Sequence, residues 1–197
     1  MIVVTGACRS GSSLMMQTLQ LLGIPLAGEA HHPDFPVKEG NPKGYYDMPF
    51  YNLMTGFGDF YKGKAVKLFG TALPKIKTPS NVTGAIVCVR RDIEEQDKST
   101  RRLLNLEIEY KSECDSPVRK MVIEHVEKMT DADISKVRRR TYRQTYEYLE
   151  HHNIPYIKVA YEDMLYKTKS TIETVTEFLK LSPNKQKLLD AEENVDV

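Results

Sequence analysis

Residues 1–23, MIVVTGACRSGSSLMMQTLQLLG, constrain the fold more than any other stretch of this chain. The apolar run from Met1 to Val4 ends at Thr5 and Gly6, the pattern of a strand buried on both faces of a parallel sheet. Leu14, Met15, Leu19 and Leu22 then recur at helical spacing. Ser12 or Ser13 can cap that helix and Gly23 fits its C-cap. A short glycine-bearing loop joins the two elements. Strand, loop and helix in immediate succession need a sheet for the strand and a second layer for the helix.

The rest of the chain repeats the alternation. KAVKLF (64–69), TGAIVCVRRD (83–92) and IPYIKVAYED (154–163) read as three further strands. IEEQDKSTRRLLNLEIEY continues the third as a helix, and KSTIETVTEFLKL (169–181) closes with Ile172, Val175, Phe178 and Leu179 on one face. Pro117 to His152 is charged, lacks glycine and internal proline, and predicts one long helix or a broken pair. LLGIPLAGE and EHHNIPYIKV echo each other as helix, Gly or Asn cap, Ile-Pro, strand. The expected fold is α/β, a three-layer P-loop-type fold with a mainly parallel central sheet flanked by helices. A single domain over 1–182 is expected, with a loop or lid at 28–64, a short helix near 48–57, a helical segment at 117–152 and a polar, frayed tail at 183–197. All eleven glycines lie at or before Gly84, so the loops gather in the first half.

Bulk composition excludes some classes of function. With 28 basic and 27 acidic residues the net charge is +1, so no global field draws in nucleic acid or an anionic membrane. Any anion site must be local. Cys8, Cys88 and Cys114 are odd in number and widely spaced, which suggests neither a disulfide framework nor a zinc site. With no signal-like start and no apolar run of about 18 residues, the chain reads as soluble and cytoplasmic.

The loop carries the clearest chemistry. TGACRSGSSL has the outline of a phosphate-binding P-loop, but Ser12 stands where a nucleotide-binding loop has lysine, and the nearest cation is Arg9. Backbone N–H groups at Ser10, Gly11, Ser12 and Ser13 can form a concave anion nest at a positive helix end. Arg9 can hydrogen-bond a bridging oxygen through its fork. The competing reading is a plain Gly-Ser turn with an exposed arginine. A second constellation is Arg91 at a strand end with Ser99 eight residues later. The two could converge on one phosphate, or they could simply begin a solvated helix with Asp92 as its cap.

TGACRSGSSL, VRRDIEEQDKS and VAYEDML together resemble the sulfotransferase superfamily, closest in style to its bacterial-type and tyrosylprotein branches. NPKGYYD (41–47) is also similar to a segment of the bacterial-type group. The resemblance implies a donor, 3′-phosphoadenosine 5′-phosphosulfate, with adenosine 3′,5′-bisphosphate as product and no metal. It puts the phosphosulfate loop on Arg9, Ser10, Gly11, Ser12 and Ser13, and the 3′-phosphate clamp on Arg91 and Ser99. Tyr161, Glu162 and Asp163 match a landmark of structural character. The implied partner is a small-molecule or peptidyl hydroxyl acceptor, not nucleic acid or membrane.

The sequence departs from the family in three places. Cys8 replaces the usual loop proline. The glycine-rich segment that closes the 3′-phosphate site in many relatives is missing, which leaves Arg138, Arg139, Arg140 and Arg143 as one candidate substitute or as a solvated helix face. Phe69 stands where a catalytic histidine follows the lysine, here Lys67. A base must come from elsewhere. Glu29, about 20 residues after Arg9, matches the glutamate of the tyrosylprotein branch, with His32 and then His31 as alternatives. Lys67 could stabilise charge on the transferring group, or merely snorkel at a strand end. Rival readings are a P-loop kinase of small molecules or nucleosides and a non-catalytic nucleotide-binding relative.

Overall fold

The computed structural model describes residues 1–28, 30, 41, 43–46, 59–76, 79–109 and 117–195. Four strands, β1 (Ile2–Gly6), β2 (Ala65–Phe69), β3 (Gly84–Val89) and β4 (Tyr156–Ala160), form one parallel sheet in the order β2-β1-β3-β4. The helices are α1 (Ser12–Leu21), α2 (Ile93–Glu109), α3 (Pro117–Val126), α4 (Asp131–His151), α5 (Tyr161–Tyr166), α6 (Thr168–Phe178) and α7 (Lys185–Val195).

Strand alternation sorts the core into two layers. Val3 lies in register with Val66 and Ala85, and these join Leu68, Val87, Tyr148 and Leu149 on the face that α4 covers. The next residue, Val4, lies opposite Lys67 and Ile86. Val4 and Ile86 join Met15, Met16, Leu19, Val159, Ile172 and Val175 on the other face. Successive strand side chains point to opposite faces, so a sheet covered on both sides needs apolar residues at every position. The expected fold class is what forms: α/β, with a parallel sheet between helical layers.

The echoed segments fold alike. After α1, Ile24 N–H bonds Leu19 O and Gly23 N–H bonds Gln20 O, both at 2.9 Å, with Gly23 at φ 92°. After α4, Ile154 bonds Leu149 and Asn153 bonds Glu150, with Asn153 at φ 51°. Both are Schellman closures, and each needs a left-handed residue after the cap. Each following proline then offers its carbonyl to the sheet: Pro25 O accepts from Ala65 N–H and Pro155 O from Ala85 N–H, both at 2.9 Å.

Two expectations are corrected, and a third is narrowed to one of its alternatives. The fourth strand does not run through Tyr161, Glu162 and Asp163. It stops at Ala160, and these residues open α5 with two carboxylates in its first turn, where the helix dipole favours them. The Pro117–His152 segment is a broken pair, α3 and α4. Thr130 starts α4 with a capping box: its hydroxyl accepts from Asp133 N–H, and Asp133 accepts from Thr130 N–H. The tail is not frayed from Pro183. Asn184 Oδ1 accepts from Lys187 N–H at 2.9 Å, α7 follows, and Ala191 and Val195 are buried in the α1-side core. Leu188, Ala191 and Val195 supply the helical stripe that its polar composition hid. The helix expected near 48–57 and most of the 28–64 loop lie outside the described residues.

A largely buried ion pair ties α2 to α4, beside the more exposed Arg101–Asp131 pair. Arg138 donates from Nε to Asp97 Oδ1 at 2.8 Å and from Nη2 to Oδ2 at 3.2 Å, and Ser135 donates to the same carboxylate. Burial pushes the Asp97 carboxyl up, but the bonds from Arg138 and Ser135 outweigh it and hold the group below its ordinary value. Its folded pKa is depressed, so the pair stabilises in full above the unfolded value of about 3.9. That stability is lost as pH falls through the lower folded value. Arg138→Ala is expected to cost about 2 kcal/mol at neutral pH. The difference from wild type should shrink near pH 3. Urea unfolding at both pH values checks this, and a pH-independent difference would contradict it.

Candidate anion-binding site

The loop after β1 emerges at the C-terminal end of the central strand, between β2 and β3, where open parallel sheets form their crevice. Two residues take left-handed conformations there, Arg9 at φ 60° and Gly11 at φ 89°. Gly11, not Ser12 or Ser13, is the N-cap of α1, and among the described residues no side chain caps the helix. The first-turn N–H groups of a helix have no intrahelical acceptor, so this end is left open to an anion. Gly11 is also pressed by its neighbour: a Cβ there would lie 2.8 Å from Cδ2 of Tyr161. Gly11→Ala is therefore expected to lose about 1–2 kcal/mol of stability from the left-handed backbone alone. It should also weaken anion binding by displacing Tyr161 or the loop. Thermal melts and sulfate titration check both effects, and a variant with wild-type values in each would contradict the close fit.

Above the helix end lies a cavity of about 360 Å³. The loop contributes Cys8, Arg9, Gly11, Ser12 and Ser13, β2 contributes Lys67 and Phe69, and Arg90 enters just past β3. Lys43 and Tyr45 close one side, and Leu103, Tyr161 and Leu165 the other. Arg9, Lys43, Lys67 and Arg90 are cations, and no carboxylate stands among the described lining residues. Opposed charge inside a cleft focuses the field on an anion.

Of the residues expected to form the nest, Gly11, Ser12 and Ser13 line the cavity, and Ser10 does not. Ser10 is buried, and its N–H turns inward to Ala7 O at 3.3 Å. Arg9 and Ser99 do meet: Arg9 Nε donates to Ser99 Oγ at 3.0 Å. Lys67 is only 6% exposed, so it does not snorkel. It donates to Ser13 Oγ at 3.0 Å and to Tyr45 O at 2.6 Å. Ser13 in turn donates to Tyr45 O, so lysine, serine and the Tyr45 carbonyl brace the β2 side of the loop. Phe69 is 43% exposed in the wall above Lys67.

The strand-end arginines are sorted differently from expectation. Arg91, paired with Ser99 by its spacing, is turned away from the cavity. Its fork grips Asp163, with Nη1 to Oδ1 at 2.9 Å, and its side chain is 59% exposed. Arg90 takes the cavity position, its guanidinium 4.9 Å from the Tyr161 ring centre and its Nε 4.0 Å from Glu162. Alternation held the missed signal. Ile86 and Cys88 point to the α1 side, so Arg90 continues their series and Arg91 falls on the other one.

Glu162 also accepts from the N–H groups of Arg91 and Asp92, at 3.1 and 3.2 Å, just before α2. Burial pushes its carboxyl up, but these backbone donors prevail and hold it below its ordinary value. The Tyr-Glu-Asp run thus braces three parts of the site: the loop, the start of α2 and both arginines.

Glu29, His31 and His32 lie outside the described residues. The arginine run on α4 does not reach this cavity: Arg138 is held by Asp97, Arg143 lies 3.8 Å from Glu147, and Arg139 and Arg140 are exposed. Cys88 is fully buried, and burial, opposed by the charge of Lys67, pushes its thiol up to about 12, so it is no nucleophile at neutral pH. Cys8 is half-buried in the cavity wall.

No protein-family model matches this sequence, and no curated protein matches it either. Among solved structures the chain is similar to mouse sulfotransferase SULT7A1 complexed with PAP, at 15% identity and a TM-score of 0.49. The match covers 99% of this chain and 64% of that one.

Proposed function

We propose that this chain is a sulfotransferase that takes a sulfuryl group from 3′-phosphoadenosine 5′-phosphosulfate and passes it to a small-molecule or peptidyl hydroxyl by in-line displacement. The observation that carries the reading is a cavity over an uncapped helix end with four cations and no described carboxylate. A metal-bound triphosphate calls on a loop lysine and a carboxylate for the metal. This loop has Ser12 and Arg9 instead, which suit a less highly charged group. Cys8 and Cys88 carry reduced thiols, which suits the reducing cytoplasm suggested by the sequence.

The residues fit such a donor. Gly11, Ser12 and Ser13 offer N–H groups to the phosphosulfate end, and Arg90, beside the Tyr161 ring, takes the ribose phosphate. The donor supplies an anhydride from which sulfuryl transfer leaves a phosphate anion behind. Arg9, steadied by Ser99, stabilises charge growing on that phosphate. Lys67, braced against Ser13, adds a fixed cation on the β2 side, where the hydroxyl enters past Phe69. Glu29 accepts the hydroxyl proton, with His32 and His31 next in order. Positioning and fixed charge carry the rate.

Calorimetric titration with adenosine 3′,5′-bisphosphate and with Mg-ATP, followed by transfer assays over a hydroxyl panel, tests the proposal. Bisphosphate binding with sulfate transfer is the expected result. Tight Mg-ATP binding without bisphosphate binding would favour a kinase. Bisphosphate binding with no transfer, and no effect of Glu29→Ala, would favour a non-catalytic relative.

A further inference from the structure

Gln96, on α2, is 1% exposed. Its Nε2 donates to the carbonyl of Cys8 at 2.9 Å. Cys8 immediately precedes Arg9, the first left-handed turn of the loop. Three residues further along α2, Ser99 Oγ accepts from Arg9 Nε at 3.0 Å. Positions three apart share a helix face, so one face of α2 holds the loop twice, Gln96 by the main chain and Ser99 by the guanidinium.

The remaining polar atom shows that packing alone does not account for this side chain. Gln96 Oε1 is buried and finds no hydrogen-bond partner among the described residues, which is costly in an interior. An apolar residue of the same size would avoid that cost but would lose the bond to Cys8. Turning the amide over would set two acceptors, Oε1 and Cys8 O, face to face, so its orientation is fixed. Tyr142 of α4 completes the surroundings. Its hydroxyl donates to Cys88 O at 3.1 Å and stands beside Gln96 and the Ala7 backbone.

We propose that Gln96 is a positioning residue for the anion loop: its carboxamide fixes the Cys8 carbonyl, and through it the Arg9 turn that aims the guanidinium and the Gly11–Ser13 amides at the cavity. This rests on reading that cavity as the anion site. Gln96 is not one of the cavity-lining residues, so it acts through the loop.

Two variants of near-equal volume test it. Gln96→Met removes the donor without adding charge. Gln96→Glu supplies a donor only when protonated, and burial raises a carboxyl's pKa, so protonation returns as pH falls. The ionisable groups around the site are Cys8 and Arg9 in the loop, Cys88 at the end of β3, Tyr142 on α4 and Asp92 one turn earlier on α2. Burial holds Cys88 and Tyr142 above their ordinary values, so neither changes charge between pH 6 and 8.

Gln96→Met should weaken adenosine 3′,5′-bisphosphate binding about tenfold at both pH values, the effect of one lost hydrogen bond. Gln96→Glu should be as weak at pH 8 and recover toward wild type at pH 6. Iodoacetamide labelling of Cys8 in ligand-free protein, read by peptide mass, should accelerate in Gln96→Met as the loop loosens. Faster labelling in a chain whose wild type does not bind bisphosphate would support the positioning role while sinking the donor reading. Wild-type binding and wild-type labelling in Gln96→Met would overturn the proposal. The Gln96→Glu comparison decides even if the methionine variant fails to fold: relative to wild type, equal affinity at pH 6 and 8 also overturns it.

Discussion

Replacing Arg90 by alanine is expected to weaken adenosine 3′,5′-bisphosphate binding by about 2–4 kcal/mol, the cost of stripping a desolvated anion of its cation. Arg91→Ala should change that affinity by less than about 0.5 kcal/mol, as an exposed pair remote from the ligand does. The two residues are neighbours of the same type, so the comparison isolates direction. Arg90 lies in the cavity wall, with its side chain 17% exposed. Arg91 is spent on Asp163. Calorimetry on both variants reads the difference. Equal losses would mean that the sorting by Glu162 and Asp163 has no bearing on binding, and a larger loss in Arg91→Ala would restore the pairing suggested by spacing alone.

Arg9→Ala should divide its effects differently. Turnover is expected to fall by about 10²–10³, the usual loss when a donor aimed at developing charge is removed. Bisphosphate affinity should fall by about tenfold or less, since the open helix end and the other cations persist. The reason is geometric. Arg9 sits inside the loop, held by Ser99 through one nitrogen, so the rest of its fork has a set direction. Steady-state kinetics with calorimetry separates the two terms. A variant that loses affinity as much as turnover would make Arg9 a plain binding residue.

The sheet was legible because parallel strands buried on both faces leave continuous apolar runs, and all four runs became strands. The loop was legible because glycine and serine between such a run and a helical stripe leave few conformations. What spacing could not supply was direction. An eight-residue interval fits Arg91 to Ser99, yet strand alternation gives the cavity to Arg90, and Ser99 is bonded to Arg9 instead. The tail misled for a related reason: Leu188, Ala191 and Val195 form a narrow stripe among charges, and the partner that buries it, α1, lies at the far end of the chain. Gln96 gave no sequence signal, because its partner is a main-chain carbonyl 88 residues away.

A crystal structure with adenosine 3′,5′-bisphosphate bound would show which cation holds which phosphate. The 5′-phosphate is expected on the amides of Gly11, Ser12 and Ser13 beside Arg9, with the 3′-phosphate at Arg90. A ligand bound elsewhere, or one lying with its two phosphates exchanged between those cations, would contradict this placement.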